Sequence, residues 1–391
     1  MIDIKSLSAA WIAEKRNKYS KDPNLMESMI FALYLLEHLQ LTGLDFIFKG
    51  GTSLILLMEE PKRFSVDIDI IISPKIKREE LEKYLSKIVE TSAFTRMELD
   101  EKRSYDGDIP KAHYKFIFNS SFPNRNKAGN VISNPEREIL LDILFADNHY
   151  PTVIERALDT EWLLQTGKPI IVRTPDINSI TGDKLTAFAP NTIGVPYNME
   201  KEKEIMKQLF DVGYLFHLLT DMEVFKKSFT ESAKGEIAYR PERKIESIEQ
   251  VLRDTIETGL LIARKDILKT DDEKAKYGEI NIGINQFRHF VFLGRFDILE
   301  AQVASAKAAY LAAIVLTDYK EVLKKFSKEI PLVDYLITNP DYNYLNKRLK
   351  FVAEGEALFY WYLTINLLYP TNELESHAKN KYTFKKRTNQ R

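Results

Sequence analysis

Apolar residues recur at helical spacing along residues 24–41, NLMESMIFALYLLEHLQL, and predict an amphipathic helix. The period then changes. FIFKG, from Phe46, reads as a short strand, and TSLILLME as a helix that begins just after a double glycine. SVDIDIII (65–72) alternates and is β-branched, which predicts a strand. Residues 78–91 read as a helix and AHYKFIF (112–118) as a strand. Residues 119–135 are rich in Asn, Ser, Pro and Gly and predict a long loop. REILLDILF (137–145) is a further strand. Beyond about residue 175 strand signals thin out. GDKLTAFA and KEKEIMKQLFDVGYLFHLL predict helices on either side of a Pro/Asn/Gly loop (190–198). FRHFVFLGRFDILEAQVASAKAAYLAAIVL and RLKFVAEGEALFYWYLTINLL are strong helical segments later in the chain.

The expected class is α+β. Residues 1–175 form a mixed sheet with flanking helices, residues 176–378 a mainly helical domain, and residues 379–391 a tail. The tail, KNKYTFKKRTNQR, has six basic residues and no acidic one, and reads either as a solvated segment or as a contact for RNA phosphates. A length of 391 residues accommodates this division.

Composition narrows the chemistry. A net charge of −1 argues against the whole chain acting as an electrostatic clamp for nucleic acid, while leaving room for a local basic surface. The absence of cysteine excludes disulfides, thiolate zinc sites and a cysteine nucleophile. The N-terminal residues lack an apolar signal core, and no apolar run reaches the roughly 18–20 residues that a membrane span needs. A cytoplasmic protein without a membrane partner is expected. The six histidines are scattered, with no H-x-x-x-H spacing, and His217 reads as a packing residue. No G-x-x-x-x-G-K-[ST] loop or G-x-S-x-G motif is present.

Two aspartates inside an isoleucine-rich strand need a reason. Residues two apart on a strand share a face, so Asp67 and Asp69 project together, about 6–7 Å apart at the backbone. Paired carboxylates of this kind hold one or two cations for phosphoryl transfer. Asp142, a lone acid within EILLDILF, is the candidate third carboxylate. Upstream, KGGTS supplies glycines that let a ligand approach the backbone, then a helix N-terminus with free N–H groups for phosphate. Gly50, Gly51, Thr52 and Ser53 are candidate triphosphate contacts. Lys49, Arg63 and Ser65 lie beside the same turn. Taken alone, each motif also fits a solvated strand face or a tight turn.

FKGGTSL followed by RFSVDIDI resembles the signature of the AbiEii/AbiGii nucleotidyltransferase toxins, a family within the DNA polymerase β-like superfamily. GDKLTAFA is similar to the family's later lysine motif, with Lys184 in the lysine's place and Asp183 before it. KQLFDVGYL is similar to its basic-residue and D-x-x-D motif, with Lys207 and Asp211 matching and Gln208 where the first aspartate is usual. A surface ion pair between Lys207 and Asp211, four residues apart, is the plain structural alternative. For Lys184 the alternative is a solvated helix lysine.

The resemblance covers roughly residues 20–220. It implies a polymerase β-like core and an NTP substrate, with two Mg²⁺ ions held by Asp67, Asp69 and Asp142. Asp67, Asp69, Asp142, Lys184 and Asp211 would be the catalytic residues, and Lys184 would also contact the triphosphate. It further implies the toxin of a type IV toxin–antitoxin or abortive-infection system, a tRNA 3′ end as acceptor, and an antitoxin encoded nearby that need not bind directly. Transfer to a protein or small molecule remains open, as does a non-catalytic nucleotide-binding module.

Overall fold

The computed structural model describes residues 1–105, 109–125, 129–132 and 135–370. The basic tail (379–391) and part of the 119–135 loop lie outside them. Helix α1 (Ala9–Tyr19) leads into α2 (Pro23–Leu41), which starts where Asp22 accepts a hydrogen bond from the Asn24 amide and Pro23 occupies the first turn. α2 is buried from Met29 to Leu39, so it is the core helix of the first half and not a surface helix.

Strand β1 (Phe46–Lys49) runs directly into α3 (Gly50–Leu57). β2 (Ile68–Ile72), α4 (Arg78–Thr91), β3 (Arg96–Leu99) and β4 (Lys111–Asn119) follow. A small hairpin of β5 (Asn124–Arg125) and β6 (Val131–Ile132) interrupts the expected loop, and β7 (Glu136–Phe145) completes the sheet. The five-stranded sheet has the order β1-β2-β7-β4-β3. Only β2 and β7 are parallel; the other neighbours are antiparallel. β8 (Val153–Ala157) and β9 (Ile171–Pro175) form a separate ribbon that the sequence pattern did not predict, because VIERA and IVRTP are short and each carries a charged residue at its centre. Rows of Phe48, Ile70, Ile143 and Ala112 bury the inner face of the sheet.

The second half is helical: α5 (Ile177–Ala187), α6 (Glu202–Leu215), α7 (Met222–Ala238), α8 (Ile248–Ala263), α9 (Asp271–Phe287), α10 (Ile298–Leu316), α11 (Tyr344–Leu349) and α12 (Glu356–Leu368). Its core is distinct from the sheet's and is centred on α10, whose residues Ala301–Ile314 are all buried. Small residues allow close approach there: a Cβ on Gly213 of α6 would sit 2.6 Å from the Ala304 Cβ. α10 is long and apolar enough to cross a membrane, contrary to the expectation that no such run exists. Glu300, Gln302 and Lys307 break its pattern by eye, and here it is the centre of a helical core.

Two segments expected as continuous helices are broken. Between α9 and α10 the chain leaves the helix to meet the first half: Phe64 N donates to Phe290 O (2.8 Å) and Phe292 N to Lys62 O (2.9 Å). Phe292 accordingly joins the sheet's core. Before α12, Ala353, Glu354 and Gly355 all take positive φ (47°, 58° and 98°), which ends any helix.

Candidate active site

Strand register builds the site. Lys49 of β1 pairs with Asp69 of β2, Asp69 with Asp142 of β7, and Asp142 with His113 of β4. Directly opposed residues share a face, so one row of Lys49, Asp69, Asp142 and His113 crosses four strands. Asp67 lies one residue ahead of β2 rather than on it, and its carbonyl accepts a hydrogen bond from Thr52 Oγ1 (2.5 Å). Asp67, Asp69 and Asp142 line one open cleft of about 650 Å³ with Lys49, Gly50, Gly51 and Lys184. Burial, then the neighbouring Asp142 and Asp67 carboxylates, push the Asp69 carboxyl up to about 6. Burial likewise raises Asp67, against the pull of Lys207.

The double glycine has a reason beyond ligand approach. Gly50 has φ +75°, and a Cβ there would lie 1.9 Å from Asp69 Oδ2. On Gly51 it would lie 2.5 Å from Arg63 Nη2 and 2.9 Å from Ser65 Oγ. The turn must therefore be bare for the carboxylate of Asp69 to occupy its place. Gly50→Ala is expected to lose stability by more than the ~1–2 kcal/mol that left-handed backbone costs a side chain. Gly43→Ala is the control: φ there is +83° and nothing lies within 4 Å of the added Cβ. The difference between the two denaturation midpoints measures the clash with Asp69.

Thr52, Ser53 and Ser65 are buried and do not line the cleft. Ser53 Oγ donates to Gly50 O (2.9 Å), so it shapes the turn from within. Arg63 and Asp211 also lie behind the cleft wall. The Arg63 guanidinium grips Asp211 through Nε–Oδ1 and Nη2–Oδ2 contacts of 2.6 Å each, and both side chains are almost fully buried. Burial alone would raise the Asp211 carboxyl, but Arg63 and Lys184 hold it down to about 2. Lys184 Nζ reaches Asp211 Oδ2 (3.0 Å) and Gln208 Oε1 (3.2 Å). Burial lowers its ammonium, an effect that Asp211 only partly offsets. Lys184 is thus a buried, ion-paired lysine at the cleft wall, not a solvated one. Lys207 pairs with Glu204 (3.4 Å), so the Lys207–Asp211 surface pair does not form.

Lys49 faces Asp183 (3.4 Å), whose Oδ2 also accepts from the Tyr150 hydroxyl (2.8 Å). Burial would raise Asp183, but Lys49, His149, the Tyr150 hydrogen bond and Lys184 together outweigh it and leave the carboxyl below its usual range. The sequence reading missed part of the wall: Arg103 from the sheet side, Lys201, Glu204, Glu236, Arg240 and Arg243 from the helical side. None carries a motif, and long connections bring them in.

The carboxylates share the cleft without closing into a ligand shell. Asp142 Oδ1 is hydrogen-bonded by His113 Nδ1, and among the described residues no three acidic or imidazole groups stand close enough to grip one ion. The donor set nevertheless fits a hard divalent cation. It is all oxygen, and the mutual repulsion that raises Asp69 is what such a cation would relieve.

No curated protein matches the chain. Among solved structures it is similar to an antigenic nucleotidyltransferase-like protein from Paracoccidioides brasiliensis, at 12% identity over 56% of this chain and 90% of that one, with a TM-score of 0.33. That likeness is too loose to place a residue. The family match is extensive: residues 34–336 match the nucleotidyl transferase AbiEii toxin family, of type IV toxin–antitoxin systems. With that span of the sequence matched, the chain belongs to the AbiEii toxin family and is a nucleotidyltransferase.

Proposed function

We propose that the protein transfers a nucleotide from an NTP to the 3′-terminal hydroxyl of an RNA, a tRNA above all, in the cytoplasm, as the toxin of an abortive-infection system whose antitoxin is encoded nearby. The observation that carries this reading is the row of Lys49, Asp69 and Asp142 laid beside the start of α3 in one cleft, with His113 buried behind Asp142. The helix start presents backbone N–H groups and the positive end of a dipole, both suited to phosphate.

Asp67, Asp69 and Asp142 would hold Mg²⁺, which supplies neutralisation of charge on the transferring phosphoryl group. Gly50 and Gly51 would seat the phosphates, with Lys49 and Lys184 as flanking cations. Thr52, Ser53 and Ser65 would fix the turn from behind, and Arg63 with Asp211 would hold Lys184 in place. Asp142, oriented by His113, would accept the proton as the acceptor oxygen attacks the α-phosphorus and pyrophosphate leaves. Residues 1–175 would form the catalytic domain and residues 176–378 the opposing wall.

The test is incubation of the purified protein with total tRNA, Mg²⁺ and each α-labelled NTP. Label on tRNA 3′ ends is expected. Label appearing instead on protein or a small molecule would replace the acceptor, and no transfer with no NTP binding would overturn the catalytic reading.

A further inference from the structure

The connection between α5 and α6 does something that the catalytic row does not. Nearly all the cleft lining is charged, polar or glycine, but Ile193, Val195, Pro196 and Met199 bring an apolar strip to it. Met199 is 57% exposed and Val195 and Pro196 are half-buried, so the strip is an apolar patch on the cleft and not a lone surface side chain. The strip faces a cleft whose other walls suit phosphate, so it offers what the rest of a nucleotide needs.

The strip is also built with care. Asp254 of α8 reaches it from behind and is 4% exposed. Its carboxylate accepts from Asn191 N (2.8 Å), Asn191 Nδ2 (2.6 Å), Thr192 Oγ1 (2.8 Å) and Thr258 Oγ1 (3.2 Å). Among the described residues no cation pairs with it, and burial raises its carboxyl despite these four donors. A buried carboxylate without a counter-ion is costly, so its retention needs a return. The loop folds tightly where Asp254 holds it: Gly194 N donates to Ala189 O (2.8 Å) and Val195 N to Ala187 O (3.2 Å). A Cβ on Gly194 would strike Ala187 O and Ala189 N at 2.6 Å each. Asp254 thus fixes the backbone at Asn191 and Thr192, the tight turn at Gly194 carries that path to Val195, and further along Asn198 N donates to Glu279 Oε2 (2.9 Å).

We propose that the Val195–Met199 strip is the wall on which the nucleobase and ribose of the bound NTP pack, and that Asp254 is the positioning residue that sets this wall. The inference rests on the nucleotidyl-transfer reading above. It locates nucleotide discrimination in the helical half, away from the carboxylates.

The test compares wild type with Asp254→Asn, Met199→Ala and Val195→Ala, using all four NTPs, initial rates, direct NTP binding by equilibrium dialysis and thermal melting. Asp254→Asn puts an amide donor where two acceptor oxygens are needed. The expected result is a KM for the preferred NTP raised about tenfold with kcat changed less than about threefold, the scale of losing packing in an apolar pocket. The ranking among the four NTPs is expected to flatten in Met199→Ala, which is exposed and keeps the wild-type melting temperature, and in Val195→Ala, which also packs against the helical core and is compared at equal folded fraction. Unchanged KM and NTP ranking in these two surface variants would overturn the wall. An Asp254→Asn variant that binds every NTP like wild type would overturn the positioning role, as would one whose kcat falls only in proportion to unfolded protein with KM unchanged. If Asp254→Asn does not fold, the two surface variants decide. A wild-type protein that binds NTPs selectively yet transfers none refutes the catalytic reading without refuting the wall.

Discussion

Asp69→Asn is expected to lower nucleotide transfer by about 10³-fold or more while leaving the melting temperature equal or higher. The loss is the scale seen when a group that stabilises transition-state charge is removed. The stability gain follows from the same geometry. Asp69 is buried beside Asp142 and Asp67, and its carboxyl sits at about 6, well above the ordinary aspartate value. A carboxyl raised in the folded state costs stability progressively as the pH rises from the ordinary aspartate value towards about 6, and above that value the full cost is present because the charged form is crowded. The neutral amide removes the crowding. Initial-rate assays and melting curves on one preparation check both halves of the result; a variant that loses activity only together with its fold would contradict it.

Asp211→Ala is expected to cost about 3–5 kcal/mol, because it strands the buried Arg63 guanidinium and leaves Lys184 with only Gln208. That is a large share of the stability of an ordinary domain. Chemical denaturation measures it, and a loss below about 1 kcal/mol would show that the pair is not a structural tie. The double change Arg63→Met, Asp211→Leu is expected to recover the part of the loss that comes from the stranded guanidinium, because an apolar pair carries no desolvation cost, while Lys184 still lacks its carboxylate. Acid supplies a second check. Asp211 is held down to about 2, so its contribution is complete above the ordinary aspartate value of about 3.9 and fades as the pH falls from there towards 2. In Asp211→Asn that part of the acid dependence is expected to vanish.

Much of the sheet was legible in the sequence because its strands follow the two rules that work locally, alternation and β-branching. SVDIDIII and REILLDILF announce both a strand and an acid that does not belong in a core. What the sequence could not show was register. That Asp69 stands opposite Asp142, and Asp142 opposite His113, depends on how distant strands pair, and no local pattern encodes it. His113 looked like one scattered histidine among six. Arg63 shows the opposite failure: its place beside the glycine turn suggested a phosphate contact, but its partner lies 148 residues away on α6. The α9–α10 break was hidden because FRHFVFLGRF has helical density, and only the contact with Lys62 and Phe64 explains its departure from the helix. The α+β class, with a mixed sheet followed by helices, was readable from the change of period near residue 175.

The buried Arg63–Asp211–Lys184 tie also sets how the enzyme can move. Arg63 comes from the segment ahead of β2, whereas Asp211 and Lys184 sit on α6 and α5. A hinge between the two halves would have to pull apart charges that have no water to replace their partners. Separation of the two halves at this point is therefore expected to be costly, and any closing around a nucleotide would have to come from the cleft's loops and side chains and not from a hinge at this tie.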